Sequence, residues 1–289
     1  MNTILKYAKV TAAALTLIAA AAGAHAAPVG QPVWINEGSI PGTPVVAPFN
    51  NLPVDQLSGQ YDEVLTVGAL NTFTTEAIFN GGKWFNNGSA VPSFLGSPDF
   101  LGGYKLYAKF TGFGTFVPGP VPGGFTFNGG GGAIEVWADP NMNTIYNVAA
   151  FALPVPSMNN LVLTSGAASA TDDYLLGSAS LITAAQGVVN PGLANGNFEV
   201  VFSDFALTSA PGQLPPNGDK YFIAPRPFYM TLDLNGNFQS FIPVSGTSVQ
   251  LLNSSANAFF QTVPEPGALA LVGLALVGMG VATRRARKG

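Results

Sequence analysis

From residue 61 onward, apolar and polar side chains alternate one by one in run after run. A period of two places successive side chains on opposite faces of a strand, and it cannot line one face of a helix. The runs 61–67, 71–79, 104–116, 133–138, 144–148, 161–164, 198–207, 227–234 and 238–244 therefore read as strands. Between them stand Gly, Pro and Asn, residues that turn a chain. Asn235-Gly236 is expected to join its flanking runs by a type I′ hairpin. Asn80-Gly81-Gly82 and residues 128–132 are expected to be looser turns, and 117–124 an exposed Pro/Gly loop. Residues 178–185 fit either a strand or a short helix. The expected fold class is all-β: an antiparallel β-sandwich or β-roll. Apolar residues make up 47% of the chain, enough for a core, so the body is not read as disordered.

The chemistry open to this body is narrow. The chain has no cysteine, and its one histidine, His25, lies near the N-terminus. Without either residue beyond that point, Ser-His-Asp and Cys-His nucleophile systems and the usual zinc, copper and haem ligands are excluded. Residues 27–263 hold five basic and fourteen acidic side chains, a net of −9. Such a body is a poor partner for nucleic acid, whose phosphates need Lys and Arg.

The other six of the eleven basic side chains all lie at the two ends. Lys6 and Lys9 precede an apolar run from Val10 to Ala22, and Ala24-His25-Ala26 puts small residues at −3 and −1. That order reads as a signal helix, with Ala24 and Ala26 recognised by signal peptidase and cleavage before Ala27. At the other end Val263-Pro264-Glu265-Pro266-Gly267 leads into an apolar stretch, 268–282, and then the basic cluster Arg284, Arg285, Arg287 and Lys288. The prolines hold the tripeptide extended. The stretch is expected to be a transmembrane helix, with its basic cluster kept cytoplasmic as a membrane stop. An uncut anchor is an open alternative. A glycolipid anchor signal would end apolar, not basic. The expected organisation is a signal peptide over 1–26, a β-rich body over 27–244, a flexible stalk over 245–262 and a tail over 263–289.

This tail resembles the PEP-CTERM sorting signal of Gram-negative bacteria. The resemblance implies that an integral-membrane exosortase recognises Pro264, Glu265 and Pro266 and removes the helix. The protein would then be anchored in the inner membrane only transiently, before reaching the cell surface or extracellular matrix. The body, in turn, resembles a flocculation-associated PEP-CTERM group. The similarity is carried by Trp34 to Pro41 (WINEGSIP), Tyr61 to Thr66 and Asn71 to Thr75. Further segments are Trp137 to Asn141, Asp172 to Leu176, Gly196 to Thr208 and Tyr221 to Phe241. It implies a role in aggregation or biofilm formation with exopolysaccharide, and it attaches no catalytic residue.

Within the body, Asp139, Asn141 and Asn143 place oxygen side chains at alternate positions, and Asp233, Asn235 and Asn237 repeat the spacing. Calcium favours oxygen-rich loops, but neither has the later bidentate Glu of an EF-hand, and Asn and Asp are also ordinary turn residues. No other cofactor is implied. Two carboxylates could hydrolyse a glycosidic bond, and Glu37, Glu63, Glu76, Glu135 and Glu199 are available, yet no spacing selects a pair. Of the tryptophans, Trp137 is expected in the core. Trp84, between Gly-Gly-Lys and Phe-Asn-Asn-Gly, is expected to be partly exposed and able to stack on a sugar ring. Three readings follow: a non-catalytic matrix protein, a carbohydrate-binding module with or without calcium, and a polysaccharide hydrolase.

Overall fold

The computed structural model describes residues 32–97, 102–118, 125–147, 162–165, 172–189, 195–202, 205–208, 218–226, 228–237 and 248–262. All belong to a single compact unit. The segments expected to be a signal peptide (1–26) and a sorting tail (263–289) lie outside the described residues, as do the run 238–244 and most of the loop 117–124.

Eight long strands carry the fold: β3 (Gln56–Val67), β4 (Thr72–Asn86), β6 (Lys105–Pro118), β7 (Phe125–Asp139), β10 (Tyr174–Val189), β11 (Asn195–Phe202), β14 (Phe228–Asn237) and β15 (Ser248–Thr262). Each pairs antiparallel with the next in that order, and β15 returns to pair with β3. The expected class is met in its rolled form, one curled antiparallel sheet. Because the pairing order runs full circle, each long strand has a partner on both sides, which removes the exposed edges that invite aggregation.

Shorter pieces complete the body. β1 (Val33–Ile35) pairs with β2 (Leu52–Val54) and with β13 (Phe222–Ala224) in a separate three-stranded sheet. β5 (Ser89–Ala90) folds back on β4, β8 (Thr144–Asn147) pairs with β9 (Val162–Ser165), and β12 (Ala206–Leu207) lies beside β10.

The alternation seen in the sequence is the inside–outside pattern of the curled wall. Phe228, Met230, Leu232 and Leu234 of β14 point inward, as do Ala256, Ala258 and Phe260 of β15 and Ile134, Val136 and Ala138 of β7. At eight strands such an interior is just wide enough for side chains to fill it. The small sheet adds Val33, Ile35, Leu52, Val54 and Phe222 to the same core, around Trp84 and Phe260, whose ring centroids are 5.5 Å apart.

Several local expectations are overturned. The predicted stalk is largely β15, a central strand bonded to β14 on one side and β3 on the other. Asn235-Gly236 is no hairpin turn: Asn235 faces Asn197 and Ser255 across two ladders, and Gly236 faces Gly196. Asn80-Gly81-Gly82 runs inside β4 and residues 128–132 inside β7. The ambiguous 178–185 is strand. The first true turn of the ring, between β3 and β4, instead uses Leu70 (φ 55°) and Asn71 (φ 59°), and the genuine Asn-Gly turn is Asn87-Gly88, between β4 and β5.

The in-strand glycines have a steric reason. A Cβ on Gly59 would lie 1.9 Å from the Asn80 carbonyl oxygen, at a register shift between Ser58 and Gly59. In β7, Phe113 faces Gly131 and Gly114 faces Gly129, which leaves Gly130 as an extra residue. Bulges of this kind bend a strand and increase its twist, as a closing sheet requires.

Candidate functional site

The WINEGSIP segment builds a buried polar network. Val33 and Ile35 commit β1 to the core, and a 3-10 turn over Glu37–Ser39 then carries Glu37 inward, fully buried. Its Oε1 accepts from the Tyr104 hydroxyl at 2.8 Å and from the Ser93 hydroxyl, while Oε2 accepts from the Phe94 backbone N–H at 3.0 Å. The Tyr104 and Tyr221 hydroxyls lie 2.6 Å apart. Burial raises the Glu37 pKa, and the hydrogen bonds from Ser93, Phe94 and Tyr104 oppose that rise. With no exposure to solvent, this carboxyl ties the turn after β1 to the segment between β5 and β6 and has no route to an external substrate.

The loop after β7 uses its first carboxylate as a turn. Asp139 Oδ1 accepts from the backbone N–H of Asn141 (3.1 Å) and Asn143 (3.3 Å), and Oδ2 accepts from Thr144 N–H (2.9 Å). The Asn141 amide donates to Asp172, and Lys105 Nζ donates to the Met142 carbonyl at 3.1 Å. Asp173 Oδ2 accepts from the hydroxyls of Tyr107 and Thr144, both at 2.7 Å; burial raises its pKa. Asp172 and Asp173 are thus brought to the loop, an association the sequence spacing does not reveal. The second calcium candidate is overturned. Asp233, Asn235 and Asn237 sit in extended β14, so the first and last are about 13 Å apart along the strand and cannot wrap one ion. Among the described residues no group of three or more His, Cys, Asp or Glu is placed to hold a metal.

The tryptophan expectations are reversed. Trp84 is fully buried and cannot stack on a sugar. Its position on β4 points inward opposite Leu57, which the polar residues around it in sequence conceal. Trp137, expected in the core, is half-buried on the outer face beside Tyr107, with ring planes 5° apart and centroids 6.3 Å apart. Lys109 Nζ lies 4.9 Å from its ring centroid, and its indole N–H donates to Glu135 at 3.2 Å.

The candidate acids are dispersed. Glu63 points into the curled wall, where its Oε1 accepts from Thr75 and burial pushes its pKa up to about 7. Glu135 lies on the outer face, and Glu76 is directly opposite Val64, one residue out of step with Glu63. The ladder sets Glu199 directly opposite Asp233, whose pKa is raised by burial and then by the Glu199 charge. A like-charged pair across a ladder is unfavourable.

Two features of the outer wall face solvent. One is a groove of about 520 Å³ lined by Gly59, Gln60, Asn80, Gly82, Lys105 and Thr144. The other is the Phe113 ring, 52% exposed in the middle of β6.

The residues expected to act in sorting (Pro264, Glu265 and Pro266), in signal-peptide cleavage (Ala24 and Ala26) and as a membrane stop (Arg284, Arg285, Arg287 and Lys288) lie outside the described residues. No helix among the described residues is long and apolar enough to cross a membrane. Residues 262–288 match the PEP-CTERM protein-sorting motif. The chain therefore carries the mark of an exported protein sorted by an exosortase. No curated protein and no solved structure matches it.

Proposed function

We propose that this chain is a non-catalytic component of the extracellular matrix that promotes flocculation or biofilm formation together with exopolysaccharide. The observation that carries the reading is the sorting motif, which begins at Thr262, the last residue of β15. The body before it, from Ala27, is then cargo for the cell exterior. The cargo's similarity to flocculation-associated PEP-CTERM proteins, of the PepA type, supplies the matrix role. Its chemistry is consistent: beyond His25 there is no His or Cys, and Glu37 and Glu63 are buried.

A carbohydrate-binding module is the second reading, and the amide-rimmed groove beside Gln60 and Asn80 favours it. Asn and Gln side chains offer both a donor and an acceptor, which suits sugar hydroxyls.

The first test is the intact mass of the protein recovered from outside the cell. The expected species begins at Ala27 and ends within residues 264–267. A chain still ending at Gly289 and found only in membranes would overturn release to the matrix. Deletion of the gene is expected to abolish flocs; unchanged flocculation would remove the aggregation role.

A further inference from the structure

Phe113 stands on the outer wall with half its surface in water, although an ordinary strand would turn a phenylalanine inward. Its ring is held across two glycines of the neighbouring strand. A Cβ on Gly131 would lie 2.9 Å from Phe113 Cζ, and one on Gly130 would lie 3.1 Å from Cε2. The missing side chains let one ring face rest on the β7 backbone, and the other faces solvent. Covering of glycines by a cross-strand aromatic accounts for the inner face only.

The residues nearest the exposed face are uncharged; the closest acid, Glu76, is diagonal to Phe113, opposite Thr111, and nearly buried. Thr74 is directly opposite Phe113, Thr115 is opposite Thr72, and Asn128 is opposite Thr115. All four of these polar residues are exposed. No charged residue occurs from Phe110 to Ile134 or from Val64 to Thr75, on a body whose net charge is −9. An acidic polymer is repelled by the body as a whole, and a nucleic acid finds no cation here. A flat apolar ring ringed by hydroxyl and amide groups matches the apolar face and equatorial hydroxyls of a pyranose.

Resting on the matrix reading above, we infer that the outer face around Phe113, Thr74, Thr115 and Asn128 is a stacking platform for an uncharged polysaccharide strand. Contact is made through the solvent face of the ring, with the threonines and Asn128 hydrogen-bonding the sugar hydroxyls.

The test is affinity electrophoresis of the protein recovered from the cell exterior, in gels containing dextran, galactomannan, hydroxyethylcellulose or alginate. At least one neutral polymer is expected to retard it, and alginate is not. Phe113→Leu keeps the glycines covered but removes the flat ring, and should weaken retardation about tenfold, the scale of one aromatic stacking contact. Phe113→Tyr should retain it, and circular dichroism should show all three proteins equally folded. Retardation by no neutral polymer, or equal retardation of wild type and Phe113→Leu, overturns the platform. If sedimentation shows an oligomer that Phe113→Leu dissociates without changing any retardation, the face joins two copies of this chain and the glycan assignment falls. The matrix reading is judged separately, by loss of flocs on gene deletion, so either can fail alone.

Discussion

Glu63 shows how far a single residue can depart from what its type suggests. In sequence it is one more acid in an alternating strand; in the fold it is nearly fully buried among Tyr61, Leu65 and Thr75, with Oε2 lacking a partner among the described residues. Burial raises its pKa from 4.5 to about 7, so the folded state holds this proton more tightly than the unfolded chain does. Stability contributed by the neutral acid is present in full below the unfolded pKa. It falls as pH rises, and is gone once pH passes the folded value near 7. The shift corresponds to about 3 kcal/mol. Glu63→Gln, uncharged at all pH values, should flatten this dependence and be more stable than wild type at pH 8. Urea unfolding between pH 4 and pH 8 measures it, and parallel curves for the two proteins would refute the assignment. The alternation was legible here, but which face looked inward at this position was not, because acids rarely face a core. The same limit hid Trp84: Lys83 beside it turns outward, and Asn86, two residues on, shares its inward face despite being polar.

At the scale of elements, the sequence announces the strands but not where they end. Glycine and asparagine predict turns at Asn80-Gly81-Gly82 and 128–132, yet both runs, like Gly59, lie inside long strands that must bend to close the wall. Meanwhile the β3–β4 turn places Leu70 and Asn71 in left-handed backbone, a conformation that bulky residues rarely adopt and that no turn signal announces. Glycine's two uses, turning and close approach, are indistinguishable in one sequence. They are distinguishable by substitution. Gly59→Ala should cost about 3 kcal/mol or more, since its Cβ would meet backbone at 1.9 Å and the ladder itself must shift. Gly82→Ala, whose Cβ meets nothing nearer than 3.5 Å, should change stability by less than about 1 kcal/mol. Equal denaturation midpoints for the two variants would mean that Gly59 serves no close approach.

For the whole molecule, the decisive pairing joins the ends of the body. β15 lies against β3, about as distant in sequence as any two parts of the described chain, and against β14 on its other edge. Local pattern cannot reveal such a partner, so from sequence alone 245–262 looks like a stalk. The consequence for sorting is direct. A cut within 264–267 falls just beyond Thr262 and spares every ladder of β15. A chain from Ala27 to Thr262 should therefore unfold with the same cooperativity as the intact protein, and within about 1 kcal/mol of it. A chain ending at residue 247 loses both ladders of β15 and the inward Ala256, Ala258 and Phe260, and opens β3 and β14 as bare edges. Phe260 burial alone is worth about 2 kcal/mol, and the total stability of a domain is only about 5–15 kcal/mol. This shorter chain should show no cooperative thermal transition and should aggregate through its exposed edges. Calorimetry of the two truncations decides the point. A cooperative transition in the shorter chain would show that β15 is dispensable. Loss of the transition in the longer one would show that the sorting tail is part of the fold, and that its removal at the membrane cannot leave a stable product.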